Sequence, residues 1–577
     1  MTVGNLALAA AVASPFFAAI VFAMRPGRRL WFLAPVAGLP ALGVALLGRS
    51  GANLELPGVL QHALLVMDPT ARVFLGFTSA LYIASAWYAV GFLKNDHHPR
   101  RFFVLFFLAM AGNIGLILAG DVPTFFAAFA LMGLSSAGLV LHHGDAAARR
   151  AGRIYLSLTM IGEVVILTGL AQLAVVAGTT EIAALQSGEP STLAMVLLLV
   201  GFGVKAGALT LHFWLPLAHP AAPVPASAVL SGTMIKAGLL GWIRFLPFGE
   251  IEAPGLGFTF ITAGLAAALL GAAVGAVQTN PKTVLAYSSV CQMGILMTGL
   301  GIGALRPQEW PTILTAVLIY TAHHALAKGA LFLGLGPVYS AGSRLEVVAA
   351  RVGIVVPALA LAGAPLTSGA LAKVALKSNL EFLPYGLAGV MNLLLPLAAV
   401  GTTVMMVRFG VLAWRSTGAS ADQAGRGIWM PWALLVAAVF AGVWLLPGAS
   451  GWLPAKLTAA KLWLATWPLL VGGALAALGA WIRKTWGGDP SRWLPPGDVG
   501  VLVGGFVSRL SVNPRASRER QTDSQLDHSQ TLVRDRIRRQ LVAAEKLLAE
   551  WPMAGFLLML LLSALLVLLA GSPSAGA

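Results

Sequence analysis

The stretch Pro311-Thr312-Ile313-Leu314-Thr315-Ala316-Val317-Leu318-Ile319-Tyr320-Thr321-Ala322-His323-His324-Ala325-Leu326-Ala327-Lys328-Gly329-Ala330-Leu331-Phe332-Leu333 decides what kind of molecule this is. It is long and apolar enough to cross a bilayer core of about 30 Å, yet it carries two histidines and a lysine. Apolar runs of about 20 residues recur throughout the chain. The 577 residues are 58% hydrophobic and 10% charged, with a mean hydropathy of +0.82. A water-soluble domain carries about a quarter of its residues as charges. Lipid offers the backbone no partners, so runs of this kind cross as helices.

Hydropathy places spans at 3–24, 30–48, 70–92, 101–119, 122–141, 154–177, 192–213, 226–247, 257–277, 284–303, 311–335, 350–379, 386–409, 429–447, 461–482 and 552–571. The expected fold is an all-α polytopic membrane protein with about 16 transmembrane helices. With the N-terminus outside, most of the 38 Lys and Arg residues fall on the cytoplasmic side, as the positive-inside rule requires. Arg25, Arg28 and Arg29 follow the first apolar run instead of preceding it, so that run reads as an uncleaved helix. The expected location is a bacterial or archaeal inner membrane, crossed many times. The formal charge of +16 is then a topology signal, and nucleic acid is not an expected partner. A single Cys excludes internal disulfides and cysteine-held clusters; no metal and no cofactor is expected.

Beyond 482 the pattern changes. Gly487, Gly488, Pro490, Pro495 and Pro496 break it, and 514–530 is polar. Leu532 to Trp551 then sets Leu532, Val533, Ile537 and Leu541 against Arg534, Arg536, Arg538 and Arg539. This reads as an amphipathic helix on the cytoplasmic surface, followed by a C-terminal anchor. It would rest on anionic lipid or brace a neighbouring subunit.

A charge left unpaired at mid-bilayer costs at least about 2.5–3.5 kcal/mol, so ionisable residues within spans face protein and usually act. Glu163, Lys205, Lys236, His323, His324, Lys328 and Lys373 lie within spans and form the candidate proton path. His324 and Lys328, four apart, share a helix face. Lys373 and Lys377 are also four apart, but Lys377 is near its helix end. Pro365 should interrupt a helix at membrane depth, and Pro216, with Pro220, Pro223 and Pro225, a second one. Such breaks are tolerated only where protein or a cavity satisfies the freed groups. Two lysine-bearing segments beside breaks, about 170 residues apart, suggest a duplication. A Lys205–Glu163 pair would hold a proton and release it on separation, and His324 can relay near neutral pH. Against this, any one buried lysine could simply cap carbonyls at a break. His212 and His219 read as interfacial, and His97–His98 and His142–His143 as loop residues without a role.

Several stretches resemble the antiporter-like membrane subunits of respiratory complex I, energy-converting hydrogenases and multisubunit cation/proton antiporters. They are Gly203-Val204-Lys205 through His212-Phe213-Trp214-Leu215-Pro216, His219-Pro220-Ala221-Ala222-Pro223-Val224-Pro225, Leu285-Ala286-Tyr287-Ser288-Ser289, Ala322-His323-His324 through Lys328, and Gly363-Ala364-Pro365 through Lys373. The His-Pro-Ala-Ala-Pro stretch and Met234-Ile235-Lys236 look most like the hydrogenase-associated branch. The resemblance implies two inverted five-helix repeats with broken helices, 101–248 and 256–410. These would be flanked by N-terminal helices 1–100, further helices 411–482, a cytoplasmic segment 483–551 and the anchor 552–577. It implies Lys205 as the central lysine, His324 and Lys328 as the connecting relay and Lys373 as the exit-side residue. One position departs: where the family carries a glutamate on its fifth helix, this chain has Ala130. Glu163 is expected to replace it; otherwise the first half-channel is altered.

The expected function is a proton-translocating membrane subunit of a multisubunit, complex I-like or hydrogenase-like assembly. Its partners would be lipid, other membrane subunits, a peripheral soluble arm or partner, and H+ or Na+. This chain holds no redox or hydrolytic centre of its own in that reading. The alternatives are a Na+/H+ antiporter subunit, the proton channel of a two-component inorganic-carbon uptake system, and a scaffold with a degenerate channel.

Overall fold

A computed structural model describes residues 3–24, 27–60, 62–186, 191–418, 426–442 and 459–486. The expected amphipathic helix 532–551 and anchor 552–571 lie outside the described residues. The chain divides into one unit of Met1–Glu55 with Leu64–Val501 and another of Leu56–Ala63 with Leu502–Ala577.

The first unit is a helical, multi-pass membrane fold. Among the described residues, 13 helices are long and apolar enough to cross a bilayer, and Thr192–Ala206 and Trp429–Ala441 are shorter apolar helices. Helix starts are marked by residues that satisfy free N–H groups. Asp68, Asp121 and Asp145 accept from the backbone of Ala71, Thr124 and Ala148, and Asn280 caps Pro281–Leu305. Ser343 and Glu346 form a reciprocal capping box on Arg344–Ala362. Hydropathy alone did not anticipate the hairpin β1 (Ala52–Leu56) and β2 (Ala63–Met67). The Leu64 N–H reaches the Asp121 carboxylate at 2.6 Å.

Val224–Phe245, Pro281–Leu305 and Pro307–Ser340 are buried along their apolar lengths and form the centre. Val3–Ala23, Ala146–Ala177 and Trp463–Thr485 are buried on a minority of their surface, leaving Phe17, Val164, Leu470 and Trp481 exposed, as lipid-facing helices would. Pro254–Val277 and Pro281–Leu305 approach closely through glycines. A Cβ on Gly264 would fall on the Gly294 carbonyl, and one on Gly294 on the Gly264 carbonyl. Small residues at such crossings let backbones meet without a hydrophobic drive between helices.

Both expected interruptions occur, but glycine sets them. Thr192–Ala206 stops at Gly207, φ +69°, well before Pro216, which lies in the first turn of the next helix, Leu215–Ala221. Arg344–Ala362 stops at Gly363, φ +89°, and Pro365 only prevents its resumption. A left-handed residue closes a helix cheaply when it is glycine, and proline commonly follows. Each break then holds a second left-handed residue three positions on, Thr210 at φ 73° and Leu366 at φ 63°. A third discontinuity, absent from the sequence reading, is the π-helical turn Leu230–Met234.

Replacing Gly264 with Leu should separate the two helices, since overpacking costs about 1–3 kcal/mol. The detergent-solubilised variant should melt lower than the parent; an unchanged melting temperature would rule out the crossing as a tight contact.

Candidate functional site

Each break ends a helix inside the bundle and frees its last carbonyls. Lys205 sits in the last turn of Thr192–Ala206, 4% exposed, where a cation meets the negative end of the helix dipole. Its Nζ donates to the Tyr155 hydroxyl at 3.0 Å and lies 5.7 Å from the Phe129 ring centroid. The Trp214 indole N–H takes the Val204 carbonyl at 2.8 Å. At the second break the Lys373 ammonium donates to the Ala362 carbonyl; Lys373 is half-buried. Lys377 is also half-buried, in the last turn of Ser368–Ser378.

The π-helical turn places Lys236 so that its Nζ donates to the Ser231 carbonyl at 2.5 Å. The Ser231 hydroxyl meets the Ser289 hydroxyl at 2.9 Å. Beside Ser289, the Ser288 hydroxyl accepts from Lys328 Nζ at 2.6 Å, and Lys328 also donates to the Leu285 carbonyl. Lys236 and Lys328, both fully buried, are thus joined by a seam of serines between Val224–Phe245, Pro281–Leu305 and the Lys328 helix. Lys328 Nζ also stands 5.6 Å from the Phe332 ring centroid. His219 stacks on that same ring at 4.6 Å. His323 Nδ1 is 2.8 Å from the Ser368 hydroxyl, at the start of Ser368–Ser378. Tyr320 donates to Gln292 at 2.7 Å, and Gln292 to Thr402 at 3.1 Å.

The structure therefore groups Lys236 with Lys328, and sets His323 and Lys373 around the second break. It does not form the expected Lys205–Glu163 ion pair. Glu163 is 8% exposed, and its Oε1 has no hydrogen-bond partner. The carboxyl packs against Gly133, where a Cβ would overlap it, one helical turn from Ala130. Among the described residues, no carboxylate pairs with Lys205, Lys236, Lys328 or Lys373. His212 and His219, read as interfacial, are 2% and 0% exposed. Both ring nitrogens of His219 and of His324 lack hydrogen-bond partners.

Sequence reasoning missed Tyr155, Ser231, Ser368 and Gln292, set His219 aside as interfacial, and gave Ser288 and Ser289 no role. The signal was present: hydroxyl and amide side chains inside apolar spans need partners too. A reading centred on lysines and carboxylates passes over them.

Away from the spans, His142 Nε2 lies 3.1 Å from Asp96 Oδ2, and the His142 and His143 rings meet edge to face at 5.6 Å. Burial pushes the His142 imidazole below the ordinary histidine range and outweighs the Asp96 carboxylate, which acts the other way.

The site is thus a multi-pass helical bundle whose helices break inside the protein around buried amines. Residues 119–381 match the family described as NADH:quinone oxidoreductase/Mrp antiporter, transmembrane. An uncharacterised protein of Mycobacterium tuberculosis is 32% identical over 392 residues, 63% of this chain and 60% of that one. Hydrogenase-4 component B of Escherichia coli is 30% identical over 313 residues, 52% of this chain and 46% of that one. A chain of the Mrp complex from Dietzia sp. DQ12-45-1b shares the fold, with a TM-score of 0.72 at 22% identity over 94% of this chain and 63% of that one. The chain thus spans 60% or less of the length of these curated relatives. The matched segment, just under half of the chain, is similar to that family, and the fold is the one seen in the Mrp-complex chain.

His142 folds neutral, whereas in an unfolded chain the imidazole takes a proton near pH 6.5. The unfolded state then binds more protons, so stability falls as pH drops below about 6.5 toward the lower folded-state pKa. Substituting His142→Gln should shrink the fall in melting temperature between about pH 7.5 and pH 5.5. An equal fall in both proteins would show that His142 does not titrate on unfolding.

Proposed function

We propose that this chain is the proton-translocating membrane subunit of a multisubunit energy-converting complex, complex I-like or membrane hydrogenase-like. The observation that carries the reading is the serine seam joining Lys236 to Lys328 at the buried centre of the bundle. Amines there are held by carbonyl and hydroxyl dipoles, and among the described residues no opposite charge pins the proton. Capping a freed carbonyl and passing a proton are compatible tasks, because an ammonium that donates to a carbonyl can donate onward.

In this reading Glu163, Lys205, Lys236, His323, His324, Lys328 and Lys373 make up the path, with His219 and Tyr155 added to it. Two inverted repeats, 101–248 and 256–410, hold it, between N-terminal helices 1–100 and further helices 411–482. The recurrence of a left-handed glycine and a second left-handed residue at both breaks supports the duplication. Glu163 takes the part of the absent fifth-helix acid in this reading, which the position of its carboxyl over Gly133, one turn from Ala130, supports. Partner membrane subunits, with a soluble arm or partner, are supported by relatives that are a hydrogenase component and part of an Mrp complex. The orientation is N-terminus outside, in an inner membrane.

Lys205→Ala should abolish proton uptake into proteoliposomes holding the intact complex, while the complex still assembles. Parental rates in that variant would defeat the reading. Glu163→Gln should slow uptake by about tenfold or more, the loss typical of removing a proton-transfer group. Unaltered uptake would mean that Glu163 does not replace the acid missing at Ala130.

A further inference from the structure

Lys282 belongs to no part of the path described so far, and its placement is odd for a lysine. It occupies the first turn of Pro281–Leu305, the end of a helix dipole that repels cations. Its own helix therefore gives no reason for it to be there. Its backbone N–H donates to the Asn280 cap at 2.8 Å. The side chain is half-buried and crosses to another helix, where Nζ donates to the Ala222 carbonyl at 2.7 Å. Ala222 closes Leu215–Ala221, the short helix that carries His219. The Ser227 hydroxyl ties the same turn, donating at 3.1 Å to the His219 carbonyl and at 3.4 Å to that of Ala222.

Two groups flank the carbonyl that this lysine holds. Toward the loops, Leu139 and Val140, which lead into His142 and His143, line one small cavity with Ala222. Toward the centre, His219 lies three residues before Ala222 on the same short helix, fully buried with both ring nitrogens without partners. His219 shares the Phe332 ring with Lys328. The chain's connections put the two loops on one end of the bundle: 141–145 follows Val122–Val140, and 278–280 precedes Pro281–Leu305.

We propose that Lys282 carries protons between the loop face bearing His143 and the buried His219–Lys328 group. This rests on the function proposed above. In the step, an N–H bond of the Lys282 ammonium breaks and its proton passes through a bridging water to a ring nitrogen of His219, which no donor of the protein occupies. The neutral amine is then reprotonated from the loop face, by the His143 imidazolium or by water. His219 returns to neutral when it hands the proton on to a neutral Lys328 amine, and His143, where it was the donor, regains its proton from solvent; one proton has then moved and the opposite flux is the reverse sequence.

The competing role is a simple cap on the Ala222 carbonyl, and substitutions separate the two. Lys282→Gln keeps a donor for that carbonyl and cannot carry a proton. Lys282→Arg keeps donor and charge but does not release its proton. In the assembled complex in proteoliposomes, both should lower proton uptake by about tenfold or more per complex. Uptake within twofold of the parent in both variants would leave Lys282 as a cap and overturn the proposal. A parent complex that moves no protons would instead overturn the proposed function itself. Should either variant assemble poorly, Lys282→Cys in the finished complex can be alkylated, Cys291 being buried. Bromoethylamine, which rebuilds an amine, should restore uptake, and iodoacetamide, which supplies only an amide donor, should not. Equal rescue by both reagents would also reduce Lys282 to a cap.

Discussion

A helix that stops inside a bilayer leaves carbonyl oxygens that lipid cannot satisfy, and a lysine brought to the same depth leaves N–H groups in the same position. In this bundle the two deficits meet. Lys373 donates to the carbonyl ending Arg344–Ala362, Lys282 to the carbonyl closing Leu215–Ala221, and Lys236 to a carbonyl within the π-helical turn. Lys205 lies in the last turn of its own half-helix and leans on Tyr155. Breaks and buried amines are therefore one design: each is tolerable because of the other. The glycines that end the helices decide where the amines can rest.

The mutual arrangement also explains which charges gather and which stand apart. Lys236 and Lys328 approach because Ser231, Ser288 and Ser289 line the contact between their helices with oxygen. Lys205 meets an aromatic hydroxyl in a niche of Tyr155 and Phe129, and Glu163 occupies the space that Gly133 leaves open. Two ionisable groups can thus sit on neighbouring helices without pairing, because the packing of small residues fixes where each side chain can go.

Much of this was legible in the sequence. Hydropathy gave the spans, and charges within spans gave the amines, because both report the cost of transferring atoms into lipid. The two breaks were visible as well, but were credited to Pro216 and Pro365. A glycine's left-handed turn at Gly207 or Gly363 leaves no mark on a hydropathy profile. The π-helical turn was hidden because its residues, Leu230-Ser231-Gly232-Thr233-Met234, look like any other turn of helix. The serine seam and His219 were hidden for another reason. Their significance lies in contacts between residues far apart along the chain, and no periodicity within one helix reveals such a partner.

The facing hydroxyls of Ser231 and Ser289 have a property of their own. Either can donate to the other, and Ser289 can turn its hydrogen instead to the Leu285 carbonyl. The pair has two settings with opposite polarity. Any charge handed through it flips both hydroxyls, and the next cannot follow in the same direction until they have rotated back. Such a link would pass charge only in single steps, with both hydroxyls turning back between one and the next.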